Sequence, residues 1–486
     1  LSCHRICWHY SDCAGSDCCL CLKSAADIHI VFDDAHMTIT ETIADYICAE
    51  LHRPLQETVT HHAKRAVIDW FAAMYSGAVQ EPNPMLCQAL INNDDARQAI
   101  IFPDGQYSTV KTAAFLNGAS AHTSEFDDIF RDGGFHPGCA TIAAALAVGQ
   151  RHSRPGVMFL RSVVAGYEVS SRISAAMGRD HYRFWHTTGT IATFGATAAA
   201  ALLGQLDRRQ TAHALATAAT LAAGLQQAFR SDGMSKPLHS AHAAETGVMA
   251  AMVAATGVTG ALDVLEGPVG MGAAMSGTAD WTKATAGLGE IYNIESITFK
   301  NHGCCGHTFA AIDGLLFLME SAQITADDIV SIDIATYGPA VSVTDRPDPQ
   351  TSQECKFSMQ YVVAHAAYFG SVRIDAFEPT RMQDPAIRAL LACIDVTIDQ
   401  QIDAQFPARR AARISVTTRS GGVFTHDQHT RKGDPDLPLT DAELDAKFTE
   451  LASPVLGTQS TEKLLQDLWR LEQMELSACL AKATRS

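Results

Sequence analysis

The nine residues KNHGCCGHT (300–308) bring together a lysine, two histidines and two adjacent cysteines. Three chemistries use such groups. Cys304, Cys305, His302 and His307 could ligate zinc, Cys304 and Cys305 could cycle as a redox pair, or the stretch could present Lys300 and His307 to an anion. Structural zinc sites usually draw on two spaced ligand pairs, and vicinal cysteines chelate one ion poorly. The stretch holds no C-x-x-C redox spacing either. A lysine presented to an anionic substrate is therefore the favoured reading, with a zinc- or redox-dependent binding protein as the remote alternative.

Other segments carry groups of the same kind. In HTSEFDDIFRDGGFHPGCA (122–140), Glu125, Asp127, Asp128 and Asp132 are expected to crowd the last turns of a helix ended by Gly133-Gly134. Carboxylates there oppose the helix dipole, so local stability does not account for them. Glu125 and Asp128, three apart, would share a face, and His136 follows on a loop that Pro137 keeps extended. An acid pair beside a histidine can move protons; the bland reading is a solvated helix end. RFWHTTGTIATFGATAAAA (183–201) sets His186 just before a helix whose first residues include Thr188. A helix start offers N–H groups to a carboxylate and disfavours a protonated imidazole, which suits His186 to act as a base. In SKPLHSAHAAETG, Lys236 leads into an apolar helix, and a lysine entering such a core needs an anion beside it.

A chain of 486 residues, 47% apolar and 18% charged, can build a large core to hold these groups. Its formal charge of −17 excludes a nucleic-acid binder, which needs a basic surface. The stretch that comes nearest to a membrane span, GVMAAMVAATGVTGAL (247–262), consists mainly of small residues suited to close helix packing, so no membrane span is expected. Six of the fourteen cysteines fall within residues 1–36. That segment lacks periodicity, while Met37 is followed directly by a capping box, Thr38 and Glu41. Residues 1–36 are accordingly read as an unstructured or non-native extension, and the sparse cysteines of the rest fit a reducing cytoplasm. The remainder divides into a helical domain (37–295), an inserted α+β lid domain (296–436) and a helical return (437–486). SITFK, DIVSIDIATYG, DVTID and ARISVTTRSGGVFTHD read as strands, the last as a hairpin around Ser420-Gly421-Gly422.

Taken in order, AAFLNGASAHTSEFDD…HPGCA, FWHTTGTIATFGATAAAA, SKPLHSAHAAETG, FKNHGCCGHTFAAIDG and KFSMQYVVAHA resemble the MmgE/PrpD family from Met37 onward. The resemblance implies a mainly α fold, a large helical bundle with a smaller α+β lid. It also implies a homodimer with no metal or organic cofactor, acting on a small polycarboxylate. It puts His136, His186, Lys236 and Lys300 in a pocket between bundle and lid, with the acids Glu125 and Asp128 tuning the histidines and with Thr188 and His307 lining the substrate. Members of the family include 2-methylcitrate dehydratase, cis-aconitate decarboxylase and iminodisuccinate epimerase. Against the decarboxylase pattern this chain carries Glu125 for Asp and Ile129 for Thr. The resulting expectation is an epimerase of an amino- or imino-dicarboxylate such as iminodisuccinate. The alternative is a lyase, of the 2-methylcitrate dehydratase or the cis-aconitate decarboxylase kind.

Overall fold

Thr38 and Glu41 form the expected reciprocal capping box and start the first helix, Ile39–Glu50. The structure, a computed structural model, describes residues 37–92, 96–229 and 233–485; the reading of residues 1–36 lies outside them. The second helix, Glu57–Ala78, buries Val67, Ile68, Phe71, Met74 and Tyr75, together with the polar Arg65 and Asp69. Helices Val110–Thr123, Gly138–Arg151, Gly156–Tyr182, Thr187–Gly204 and Lys236–Ala255 complete the bundle. Thr187–Gly204 is central, packing on Gly138–Arg151, Gly156–Tyr182 and Lys236–Ala255. Small residues permit this. Where Gly156–Tyr182 passes Thr187–Gly204, a Cβ on Gly166 would stand 2.6 Å from the Gly195 carbonyl oxygen. A short hairpin, β1 (Ala99–Ile101) with β2 (Gln106–Ser108), interrupts a region expected to be helical almost throughout.

Past residue 300 the chain builds a second layer. Its sheet has the order β4-β3-β5-β6. β3 (Ile329–Thr336) runs parallel to β4 (Ile394–Ile398) and antiparallel to β5 (Ala412–Thr418), which turns through Ser420-Gly421-Gly422 into β6 (Val423–Gln428). Ile332 and Ile334 face inward as the alternation requires, but Val330 is exposed because the register shifts between Ile329 and Ser331. Helix Phe309–Ser321 packs on β5 and β6, and Met359–Phe369 packs on that helix and on β4. The chain then returns to the bundle. Asp441–Leu456, capped by Thr440 and Glu443, packs on Glu57–Ala78.

The fold is therefore mainly α. Its buried apolar side chains form two clusters, one from residues 43–299 and 439–483, the other from 304–416. We propose the domain boundaries at 295/296 and 436/437, close to where one cluster gives way to the other. Among the described residues no helix is long and apolar enough to cross a membrane.

Two local readings need correction. The helix Val110–Thr123 ends before the acids, so Glu125, Asp127 and Asp128 lie on an irregular segment and not on helical turns. SITFK is not a strand. Thr298 makes only an isolated antiparallel bridge with Ile129, through two hydrogen bonds of 2.9 Å. That bridge matters because it pins the acidic segment beside the backbone that leads into Lys300.

Candidate active site

Two pieces of chain converge on Glu125. Lys236 occupies the first turn of Lys236–Ala255, and its ammonium hydrogen-bonds Glu125 Oε1. Lys300 reaches Glu125 Oε2 at 3.1 Å and lies 3.6 Å from Asp127 Oδ1. Its backbone is fixed from both sides: Thr298 pairs with Ile129, and the Phe299 N–H donates to the Gly433 carbonyl at 3.0 Å. All four charged groups are buried, Lys300 to within 1% of full burial. Burial opposes ionisation of Glu125, but the two ammonium groups overcome it and hold its carboxyl well below the carboxylate range. Lys300 is held above the lysine range, because Glu125 and Asp127 outweigh its own burial. Glu125 also has φ of +62°. A non-glycine residue there costs on the order of 1–3 kcal/mol and persists when its surroundings over-determine it, as two lysines do here.

Asp127 faces the histidines. His122 Nδ1–H donates to Asp127 Oδ2 at 2.6 Å, and His136 Nδ1 lies 3.1 Å from the same oxygen. Burial, then Lys236 and His136, bring His122 down to about 4 against the pull of Asp127, so it is a neutral imidazole. Its Nε2 is buried and has no hydrogen-bond partner among the described residues. The His122 ring meets His136 edge-on at 4.8 Å between centroids and stacks on His186 at 5.5 Å. His186 is the N-cap residue of Thr187–Gly204, and burial, followed by its imidazole and lysine neighbours, holds it well below the histidine range. Thr188 does not line an open site. It is fully buried, and its Oγ1 accepts the His136 backbone N–H at 3.2 Å, which makes it a support for His136.

The structure thus brings Glu125, His136, His186, Lys236 and Lys300 together, with Thr188 behind them. Two candidates stand apart. Asp128 contacts no histidine: its Oδ2 pairs with Tyr167 Oη at 2.7 Å and its Oδ1 accepts the Gly138 N–H at 3.1 Å. Burial raises it to about 8. On this irregular segment Asp128 turns toward Tyr167 and Gly138, away from the histidines that Asp127 contacts. His307 pairs with Tyr337 Oη at 2.8 Å; burial and then Arg410 and Arg431 hold it well below the histidine range. Glu125 likewise serves the lysines and not the histidines, for which Asp127 is the acid in contact.

Sequence reasoning did not single out His122, His239 or Lys356, and it named Asp127 only as one of four crowded acids without a role. Lys356, at the head of KFSMQYVVAHA, is buried with its ammonium on Gln80 Oε1 at 3.2 Å and the Thr123 carbonyl at 3.5 Å. Among the described residues no carboxylate lies within ion-pair distance of it. Burial and the nearby Lys236 and Lys300 lower it to about 8 against the pull of Glu125.

For a metal ion, His122, Asp127 and His136 are the candidate ligands, with donor atoms within 4.8 Å of one another. The Lys300 ammonium beside Asp127 opposes a second cation there. Residues of KNHGCCGHT go to separate partners: His302 Nε2 to Asp313 at 3.1 Å, His307 to Tyr337, Cys304 to Thr308. Burial pushes both thiols up, away from the thiolate a metal or redox role needs.

A helical bundle joined to an α+β layer, with buried lysines and histidines gathered around two acids, defines a class. The chain belongs to the MmgE/PrpD family: residues 41–284 match the MmgE/PrpD N-terminal domain and residues 302–471 the C-terminal domain. Among similar proteins, the cis-aconitate decarboxylase of Homo sapiens is 26% identical over 90% of this chain and 92% of its own length. That of Mus musculus is 25% identical over 92% and 93%. The cis-aconitate decarboxylase-like protein oryM of Aspergillus oryzae is 24% identical over 89% and 94%. None of these three is named an epimerase, so they lend weight to the lyase alternative and none to the epimerase expectation.

Proposed function

We propose that the chain is a lyase acting on a small di- or tricarboxylate, with loss of CO2 from a cis-aconitate-like substrate as the leading reaction. The observation that carries this reading is the buried pair of lysines, Lys236 and Lys300, set beside the Asp127-bound histidines. When a carbon–carboxylate bond breaks, its electron pair must be delocalised into a neighbouring unsaturated carboxylate, and fixed cations in a water-poor site stabilise that charge. In this reading Lys236, Lys300 and Lys356 receive substrate carboxylates. His136 and His186 exchange protons with carbon, and Asp127 holds His122 and His136 in place. The carbanion then takes one proton from an imidazole.

Proton NMR in D2O with a panel of small polycarboxylates tests the proposal. Released CO2 with deuterium on the product carbon supports decarboxylation, and a new alkene without CO2 indicates dehydration. Deuterium next to a carboxylate in otherwise unchanged substrate would mean epimerisation and would overturn the lyase reading. His186→Ala should abolish turnover while circular dichroism stays that of the folded protein; full activity would remove His186 from the mechanism.

A further inference from the structure

Behind His186 stands a second histidine. His186 Nδ1 lies 2.8 Å from His239 Nδ1, and His239 sits one turn into Lys236–Ala255, three residues after Lys236. Two glycines make room for it. A Cβ on Gly224 would stand 3.2 Å from His239 Nδ1, and one on Gly189 would stand 3.0 Å from the His239 Cβ. The Gly224 carbonyl also accepts the His186 backbone N–H at 2.9 Å, so one residue fixes the backbone of the first histidine and seats the ring of the second. His186 is buried, whereas His239 is half-buried and lines an open cavity of about 650 Å³ with Gly224, Leu225, Ser235 and His242. Burial holds both rings below the histidine range, assisted at His186 by His122 and at His239 by Lys236. The pair is therefore neutral, and a hydrogen bond between two ring nitrogens requires that only one carries the proton.

We propose that His239 relays protons between buried His186 and the solvent of that cavity, serving as a positioning residue for the lyase chemistry proposed above, on which this inference rests. Decarboxylation turns R–CO2⁻ into CO2 and a carbanion, and one proton is consumed when the carbanion becomes R–H. His186 gives its Nε2 proton to that carbon. The Nδ1 proton of His239 crosses to His186 Nδ1, and water in the cavity supplies a proton to His239 Nε2. One proton enters at the cavity, one leaves on the product, and both rings end neutral with their tautomers exchanged. While product is replaced by substrate, water that reaches His186 reprotonates its Nε2, the Nδ1 proton crosses back to His239, and the His239 Nε2 proton returns to the cavity. The cavity thus lends its proton for the chemical step, and the water reaching His186 supplies the net one. Nothing is oxidised or reduced.

The test compares wild type, His239→Ala and His239→Gln in the CO2-release assay at low buffer concentration, with imidazole then added. In H239A, kcat should fall by about a hundredfold, the low end of what a positioned proton-transfer group contributes, with KM within a factor of two. Imidazole, small enough for the vacated cavity, should restore it saturably and leave wild type unaffected. H239Q keeps an amide N–H donor for His186 Nδ1 but cannot relay, so it should be slow even if H239A fails to fold. Unchanged kcat in a folded H239A or in H239Q, or a loss in H239A that imidazole does not repair, overturns the relay. A wild type inert toward every polycarboxylate overturns the lyase reading instead.

Discussion

Asp128 offers a perturbation whose size follows from the structure. The carboxyl is fully buried against Tyr167 and Gly138, and burial raises it to about 8 from the ordinary aspartate value of 3.8. The native protein therefore holds this proton up to about pH 8, while the unfolded chain releases it near pH 4. Between those limits unfolding sheds one proton, and stability falls as pH rises, by about 1.4 kcal/mol per pH unit. The favourable contribution is complete below pH 4 and lost by pH 8. Asp128→Asn removes the titration and preserves the contacts: its Oδ1 can accept the Gly138 N–H, and its amide N–H can donate to Tyr167 Oη. The stability of D128N relative to wild type should thus rise by roughly 3 kcal/mol from pH 5 to pH 7 and level off above pH 8. Equilibrium urea unfolding of both proteins at pH 5, 6, 7 and 8 measures this, because other titrating groups cancel in the difference. A D128N variant destabilised equally at every pH would mean that native Asp128 is ionised, and the argument from burial would fail.

Other groups of the site predict distinct outcomes. Glu125→Gln removes the anion held between Lys236 and Lys300, so a tricarboxylate should bind more tightly by calorimetry while kcat falls; weaker binding would show that Glu125 is not competing for those lysines. Lys356 loses its charge as pH rises through about 8, so the wild-type KM should climb above that pH. In Lys356→Met, KM should be high at every pH, and an unchanged pH dependence would exclude a role in binding. Asp127→Asn frees His122 and His136, which should lower kcat by about a hundredfold with little effect on KM. Activity within a factor of two of wild type would place proton transfer elsewhere.

The capping box at Thr38, the strand in DIVSIDIATYG and the Gly-Gly hairpin after β5 were all legible in the sequence, because each is a local pattern that its own neighbours enforce. Lys236 and His186 stood out for a different reason, since basic groups leading into small-residue apolar helices need an unusual environment, whereas Lys300 and His136 were placed by the family resemblance of their segments. The partners of the acids were not legible. Which of Glu125, Asp127 and Asp128 faces a lysine, a histidine or Tyr167 is decided by the positive φ of Glu125 and the Ile129–Thr298 bridge, and a tertiary constraint of that kind leaves no periodicity to read. His239 had a usable signal, its three-residue spacing from Lys236 at a helix start, which puts both on one face. Lys356 had none, since its neighbours Gln80 and Thr123 are far away in sequence.

The three lysines come from three parts of the chain, and that distribution has a physical consequence. Lys236 belongs to a bundle helix, Lys300 to the crossing between the two cores, and Lys356 to the α+β layer. Each buried ammonium carries a desolvation cost of several kcal/mol that fixed partners must offset. Glu125 and Asp127 serve the first two. The third depends on neutral oxygens of Gln80 and Thr123, both contributed by the bundle, while its own carbonyl accepts the Cys305 N–H at 2.9 Å. Lys356 is therefore the least compensated of the three cations. Its position also requires bundle and α+β layer to stay in register, since a shift between them would strip the ammonium of both partners. A polycarboxylate that reached Lys356 would supply the missing countercharge at the point where the two layers meet, so substrate binding and the docking of the layers reinforce each other.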